Sequence, residues 1–224
     1  KRSGLDVCVY NRTETKAFAW ADEYDGLSAP TPAEAAVDAQ IVFLCVGNDN
    51  DVRSVTVEAE GVLSTMTAGT LLVDHTTTSK ALAEELHAAC NDLGIAFIDA
   101  PVSGGQAGAE NGVLTVMAGG EASAFEVMEP VIAAYAKHTQ RMGDVGSGQV
   151  TKMVNQLCIA GILGGLSEAF HFAECAGLDI DEVTRAIQAG AAQSWQMNNR
   201  AETMAQRKYD FGFAIDWMRK DLGF

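Results

Sequence analysis

The sequence predicts an α/β protein: a parallel, doubly wound sheet domain over residues 1–147, followed by an all-helical domain over 148–224, the two joined by one long helix. Three observations predict it. Short apolar runs recur between helix-length segments rich in Ala and Glu, and strands that alternate with helices form parallel sheets covered on both faces. A glycine-rich joint, GDVGSGQ at 143–149, closes that alternation. Beyond it no strand pattern returns, and about thirty residues read as a single helix, roughly 45 Å long at 1.5 Å per residue.

The elements follow in order. Residues 6–10, DVCVY, alternate as a short strand, and Asn11-Arg12-Thr13-Glu14 supply a turn and a helix start. The chain begins Lys1-Arg2-Ser3-Gly4 directly before that strand and without a starting Met, so any targeting sequence would lie upstream. The runs at 41–46, 71–74 and 95–98 suit strands covered on both faces, and 79–93 reads as a helix between two of them. From 150 to 176 apolar residues occupy nearly every face of the long helix, which is therefore expected to be buried. Gly161, Gly164 and Gly165 interrupt it at a cost of about 1 kcal/mol each. Close packing against another helix is the expected reason, and a kink is the alternative.

Composition narrows the function classes. With 48% hydrophobic and 20% charged residues the chain has ordinary globular composition, and 224 residues are enough for one large core or two smaller ones. A formal charge of −15 argues against a nucleic-acid partner, because phosphate backbones are met by clustered Lys and Arg. No uninterrupted apolar run reaches the roughly 18 residues that would cross a bilayer, so no membrane partner is expected. The five cysteines, at 8, 45, 90, 158 and 175, have no C-x-x-C spacing and read as buried, reduced thiols of a cytoplasmic protein. None of the four histidines has a partner at metal-ligand spacing, so no metal site is expected.

A doubly wound sheet places its ligand beyond the carboxyl ends of its strands, which directs attention to the loops there. At Asn11-Arg12-Thr13, an acidic residue would accept a ribose 2′-hydroxyl, whereas Arg12 is suited to a 2′-phosphate; a solvated surface arginine is the other reading. Gly47-Asn48-Asp49-Asn50-Asp51 follows the second run with turn and capping chemistry. In Asp74-His75-Thr76-Thr77-Thr78 the hydroxyls suit a cofactor or the cap of the next helix equally well. The glycine-rich stretch at 99–120 is the strongest local feature. There Ser103-Gly104-Gly105 can bring backbone N–H groups close to a small carboxylate, or form a plain structural loop. Lys152 and Asn155 stand at i and i+3 near the start of the long helix, with Gln156 beside them. A lysine in an apolar helix at a domain junction is costly unless it is paired or functional, and burial would lower its pKa towards the range of a proton donor and acceptor. A lysine that snorkels to solvent remains the competing reading.

Taken together, VYNRT, DHTTT, DAPVSGGQAGAENGVLTVMAGG, GSGQVTKMVNQ and a late KDL resemble the β-hydroxyacid dehydrogenase family, which includes 3-hydroxyisobutyrate dehydrogenases, tartronate semialdehyde reductases and glyoxylate/succinic semialdehyde reductases. The resemblance covers the whole chain. It implies a Rossmann-type sheet domain, an NADP or NAD cofactor, and hydride transfer to or from a short β-hydroxyacid or its semialdehyde; the charge of Arg12 makes NADP the preferred expectation. It also implies a homodimer or homotetramer. Residue by residue, Lys152 is the catalytic lysine, Asn155 the substrate-side amide, and Ser103, Gly104 and Gly105 the substrate-carboxylate loop. The cofactor positions are Asn11, Arg12, Thr13, Val46, Gly47, Asp51, Thr77 and Lys220. Gly47 stands where many members have Pro, and Gln156 where many have a second Asn, which bears on substrate detail. The related 6-phosphogluconate dehydrogenases usually carry His-Asn where this chain has Asn155-Gln156.

The family's opening strand and G-x-G-x-x-G pyrophosphate loop precede anything seen here, and its last helices would follow Phe224; the chain is therefore expected to be truncated at both ends. Two rivals share the scaffold. One is a non-catalytic dinucleotide-binding sensor, against which the presence of Lys152 argues. The other is an imine reductase, a group that typically replaces this lysine.

Overall fold

The computed structural model describes residues 3–210 and 212–224; Lys1 and Arg2, read above as the lead into the first strand, lie outside the described residues. Two compact units emerge, one ending at Lys152 with Phe224 joined to it, the other Met153–Gly223.

In the first unit, β1 (Cys8–Val9) leads through α1 (Glu14–Tyr24) to β2 (Leu27–Ser28), and the two strands pair in parallel. After α2 (Pro32–Ala35) come β3 (Ile41–Leu44), α3 (Asp49–Thr56), β4 (Leu71–Asp74), α4 (Lys80–Asp92) and β5 (Ala96–Asp99). β3, β4 and β5 are parallel neighbours, as the alternation predicts. The helices α3 and α4 each open on a side-chain cap: Asn48 accepts from Asn50 and Asp51, and Ser79 from Leu82.

The sheet then departs from a purely parallel one. β6 (Val102–Ser103) and α5 (Gly105–Glu110) lead into β7 (Leu114–Gly120), which runs antiparallel to both β5 and β6. The cause is the connection: a parallel return needs a crossover of a dozen or more residues, and here the chain turns back through one short helix. A true crossover, α6 (Ala122–Ile132), restores parallel pairing between β7 and β8 (Ala136–Gly143).

Strand residues feed two cores by their two-residue period. Leu44, Leu72 and Phe97 pack with Val52, Leu82 and Leu86 on one face. Leu71, Val73, Ile98 and Val116 pack with Met128 and Ile132 on the other. Each fully buried side chain of this size contributes roughly 1.5–3 kcal/mol.

α7 (Ser147–Cys175) is the expected long helix, continuous through 29 residues. In the second unit it is followed by α8 (Ile180–Ile187), α9 (Trp195–Ala205) and α10 (Ile215–Asp221). Leu166, Phe170 and Ala173 of α7 form a core with Ile180, Met197 and Ala201. Burial of α7 on all faces is not what the structure shows. Val154, Leu157 and Phe172 are 56%, 64% and 74% exposed, because the packed helices cover only the face bearing Leu166 and Phe170. A Cβ added at Gly161, Gly164 or Gly165 would meet nothing within 4 Å, so these glycines do not mark close packing within the chain. By length and composition alone α7 could cross a membrane, although no uninterrupted apolar run in it reaches roughly 18 residues. The cysteines also differ from expectation. None is in a disulfide, but only Cys90 is buried, its thiol pushed up to about 12 by desolvation; Cys8 is half-buried and Cys45, Cys158 and Cys175 are exposed. Cys45 sits just past the end of β3, and the other two exposed thiols lie on α7, so apolar sequence neighbours do not bury them.

Candidate active site

The carboxyl ends of β1, β3, β4 and β5 carry the loops singled out in the sequence, and hydrogen bonds join those loops to one another. Asn11 Oδ1 accepts from the Thr13 N–H, shaping the first turn, and the Arg12 guanidinium lies 3.6 Å from the Asp51 carboxylate at the start of α3. The Arg12 side chain is 88% exposed, so this pairing adds little stability and leaves most of the cation facing solvent. The Val46 N–H donates to Thr76 Oγ1 at 3.0 Å, and Asp49 accepts from both the N–H and the hydroxyl of Ser79. The loops after β3 and β4 are thus one bonded surface. Val46 is exposed on it, and Gly47 and Thr77 are half-buried.

Below this surface lie buried ionisable groups that the sequence did not single out. Asp74 accepts from the Thr76 N–H at 2.8 Å, and burial pushes its carboxyl up to about 7 against the pull of that bond. His75 is held by the Ala100 carbonyl at 2.6 Å and by the Tyr135 hydroxyl at 2.7 Å. A carbonyl only accepts, so Nδ1 carries the proton and Nε2 accepts from Tyr135. Desolvation lowers the His75 pKa, which keeps the ring neutral. Asp99, fully buried, accepts from the Gly146 N–H at 2.7 Å and the Gln149 N–H at 2.9 Å; burial still lifts its carboxyl to about 6.

Asp99 thereby anchors the start of α7 to the end of β5. The approach is close enough to need glycine twice: a Cβ at Gly148 would lie 2.5 Å from the Met117 carbonyl oxygen, and one at Gly119 would lie 2.5 Å from Asp99 Oδ1. Lys152, in the second turn of that helix, is only 7% exposed, which favours the buried over the snorkelling reading of this side chain. The Ser103-Gly104-Gly105 loop lies at the same end of the sheet. β6 is antiparallel to β7, as β5 is, so Ser103 ends a strand pointing the same way as β5, about 13 Å further on at 3.3 Å per residue. Gly104 has φ +133° and Gly105 φ +61°, conformations that side chains resist; a Cβ at Gly105 would meet open space, which leaves its backbone accessible.

The remaining candidates lie in the second unit. Asn155 donates to Gln156 Oε1 at 2.8 Å, Gln156 donates to Asp221 Oδ2 at 2.6 Å, and Lys220 Nζ lies 3.1 Å from Asp221 Oδ1. Gln156 and Asp221 are almost completely buried. Asp221 was read only as part of the KDL motif; a charged residue in an amphipathic terminal segment gives no sign that it will be enclosed.

Comparison with known proteins adds a decisive match. The NAD binding domain of 6-phosphogluconate dehydrogenase describes residues 1–170, and the NAD-binding region of NADP-dependent 3-hydroxyisobutyrate dehydrogenase describes residues 146–224. The chain belongs to the β-hydroxyacid dehydrogenase family. An uncharacterized oxidoreductase from Shewanella frigidimarina is 58% identical over 99% of this chain and 76% of its own length. Among solved structures, the 3-hydroxyisobutyrate dehydrogenase from Salmonella typhimurium is 32% identical with a TM-score of 0.85, covering 99% of this chain and 78% of that one. The Mycobacterium tuberculosis 3-hydroxyisobutyrate dehydrogenase with L-serine is 27% identical with a TM-score of 0.86, covering 99% and 77%. The expected Rossmann-type sheet, long helix and helical region are those of the family, which places the chain among NAD(P)-dependent oxidoreductases.

Proposed function

We propose that this family member transfers a hydride between NADP(H) and the carbinol carbon of a short β-hydroxyacid, with Lys152 as the proton-transfer residue. The observation that carries the reading is the near-complete burial of Lys152 on a helix whose first turn is bonded to the ends of β4 and β5, at the sheet edge where such folds bind ligands. L-serine, present with the M. tuberculosis relative, is itself a carboxylate with a hydroxyl on the β-carbon, and this supports the substrate class.

The residues present fit a phosphorylated dinucleotide: an exposed guanidinium at Arg12, an exposed apolar side chain at Val46, and the half-buried Gly47, Asp51 and Thr77 on the joined loops. Asn11 and Thr13 would shape the adenosine end, and Lys220 of α10 would be a further contact. When bound, the nicotinamide ring supplies the hydride acceptor or donor. In oxidation, Lys152 as the neutral amine takes the hydroxyl proton while the C–H hydride departs; in reduction the ammonium returns that proton to the forming alkoxide. Ser103, Gly104 and Gly105 hold the carboxylate through their hydroxyl and accessible N–H groups, and Asn155 hydrogen-bonds the substrate. A panel of short β-hydroxyacids assayed by NADPH absorbance tests the reading. Tight NADPH binding without turnover on any of them would favour the sensor instead.

Cofactor choice should follow Arg12. The expected kcat/KM favours NADP over NAD, and Arg12→Asp should reverse or erase the preference, because a carboxylate there repels the 2′-phosphate. Equal values in the parent, or a preference for NAD unaffected by the substitution, would refute this.

A homodimer or homotetramer is supported by the uncovered side of α7. Val154, Leu157, Gly161, Gly165 and Phe172 fall on one helical face by their spacing, with glycines at its centre where another backbone can approach. That face also gives a long apolar helix a reason other than a bilayer. Light scattering at micromolar concentration should show more than one copy; monomer alone would count against it.

A further inference from the structure

Gln149 joins two parts of the proposed site. It is fully buried. Its Oε1 accepts from the Thr78 N–H at 3.0 Å and its Nε2 donates to the Thr76 carbonyl at 2.8 Å, so one carboxamide grips the backbone on both sides of Thr77. Its own backbone N–H is held by Asp99 at 2.9 Å. Three residues later on the same helix stands Lys152, at the i+3 spacing that stacks side chains on one face. The residue type matches the task. The grip needs an acceptor and a donor on one planar group at the reach of two methylenes; Asn is shorter, Glu as a carboxylate cannot donate, and an aliphatic side chain would strand a buried N–H and a buried carbonyl.

We propose that Gln149 is a positioning residue that fixes the Lys152 amine relative to the Thr76–Thr78 loop, where the reading above places a cofactor contact at Thr77; the inference rests on that reading and on the proton-transfer role of Lys152. Proton transfer and hydride transfer must be aligned in one transition state, and a misplacement of about 1 Å costs on the order of 10²-fold in rate. Gln149 sets that alignment without touching either reactant.

The test uses the full-length protein and the variants Gln149→Leu, Gln149→Glu, Lys152→Met and the double variant Gln149→Leu/Lys152→Met. Gln149→Leu is expected to lower kcat about tenfold or more, with a much smaller change in KM for the hydroxyacid. Gln149→Glu reproduces both bonds as the neutral acid and loses the donor as the carboxylate, so its kcat relative to the parent's should rise as the pH falls. In the Lys152→Met background the Gln149 substitution should cost nothing further, since the group it positions is gone. A readout independent of turnover is the rate at which acetic anhydride labels Lys152 in the cofactor-free protein. Its pH dependence should differ between Gln149→Leu and the parent.

The same fold-loss from Gln149→Leu with and without Lys152 would overturn the inference, as would unchanged Lys152 labelling. If Gln149→Leu does not fold, the Glu variant decides: a kcat ratio independent of pH, with parental labelling, overturns it. Should Lys152→Met alone turn over like the parent, the proton-transfer reading itself falls. Loss of turnover in Lys152→Met with parental kcat in Gln149→Leu would instead sink only the positioning role.

Discussion

Lys152→Met is expected to lower kcat by about 10²- to 10⁴-fold, the usual contribution of general acid–base catalysis, while the protein stays folded and still binds NADPH. Met preserves the length and apolar stem of the side chain, so the packing of a residue only 7% exposed is largely kept. The cofactor contacts proposed at Arg12, Val46, Gly47 and Thr77 belong to other elements, so a fluorescence titration with NADPH should change little. Asn155→Ala should instead raise KM for the hydroxyacid along with lowering the rate, because it removes an amide assigned to the substrate. Steady-state kinetics with circular dichroism check both. Parental turnover in Lys152→Met would return this lysine to a structural role.

The largest loss of stability is expected from Gly148→Ala. A methyl there would lie 2.5 Å from the Met117 carbonyl oxygen and 2.6 Å from that of Asp99, both backbone atoms of paired strands that cannot swing aside. The helix start would have to move, stretching the bonds from Gly146 and Gln149 to the Asp99 carboxylate. Overpacking commonly costs 1–3 kcal/mol, and damage to a buried charged acceptor adds to it, so about 3 kcal/mol is expected, or a fall of roughly 10 °C in Tm for a protein of this size. Thermal unfolding followed by circular dichroism measures it. A Tm within 2 °C of the parent, using about that margin as the effect of one small change, would show that α7 does not depend on this contact.

The parts of the fold that were legible are those whose signal is local. Residues 71–74 match their strand and 79–93 match α4 within one residue at each end, because a strand covered on both faces and a capped amphipathic helix are written in neighbouring positions. The direction of β7 depends on how far the chain travels between strands, and the glycines before it gave no measure of that. Periodicity revealed that α7 is apolar all round, but not what covers each face, and most of one face is open. At the proposed site, Lys152, Arg12 and the Ser103 loop are the residues that type and order single out in the sequence. Gln149 was not, since nothing in GSGQVTK tells that its amide meets a loop more than seventy residues earlier.

That separation in sequence bears on how the protein folds. β3, β4 and β5 pair with their nearest neighbours in the chain, whereas the bonds from Gln149 to Thr78 and Thr76 span 71 and 73 residues and those from Gly146 and Gln149 to Asp99 span 47 and 50. Long loops carry the larger closure entropy, so these contacts form after the sheet that receives them. Interactions made late on the folding path slow unfolding and leave the folding rate nearly unchanged. The Gln149 carboxamide and the Asp99 carboxylate therefore act as a latch whose loss should speed the unfolding of this unit more than it slows its folding.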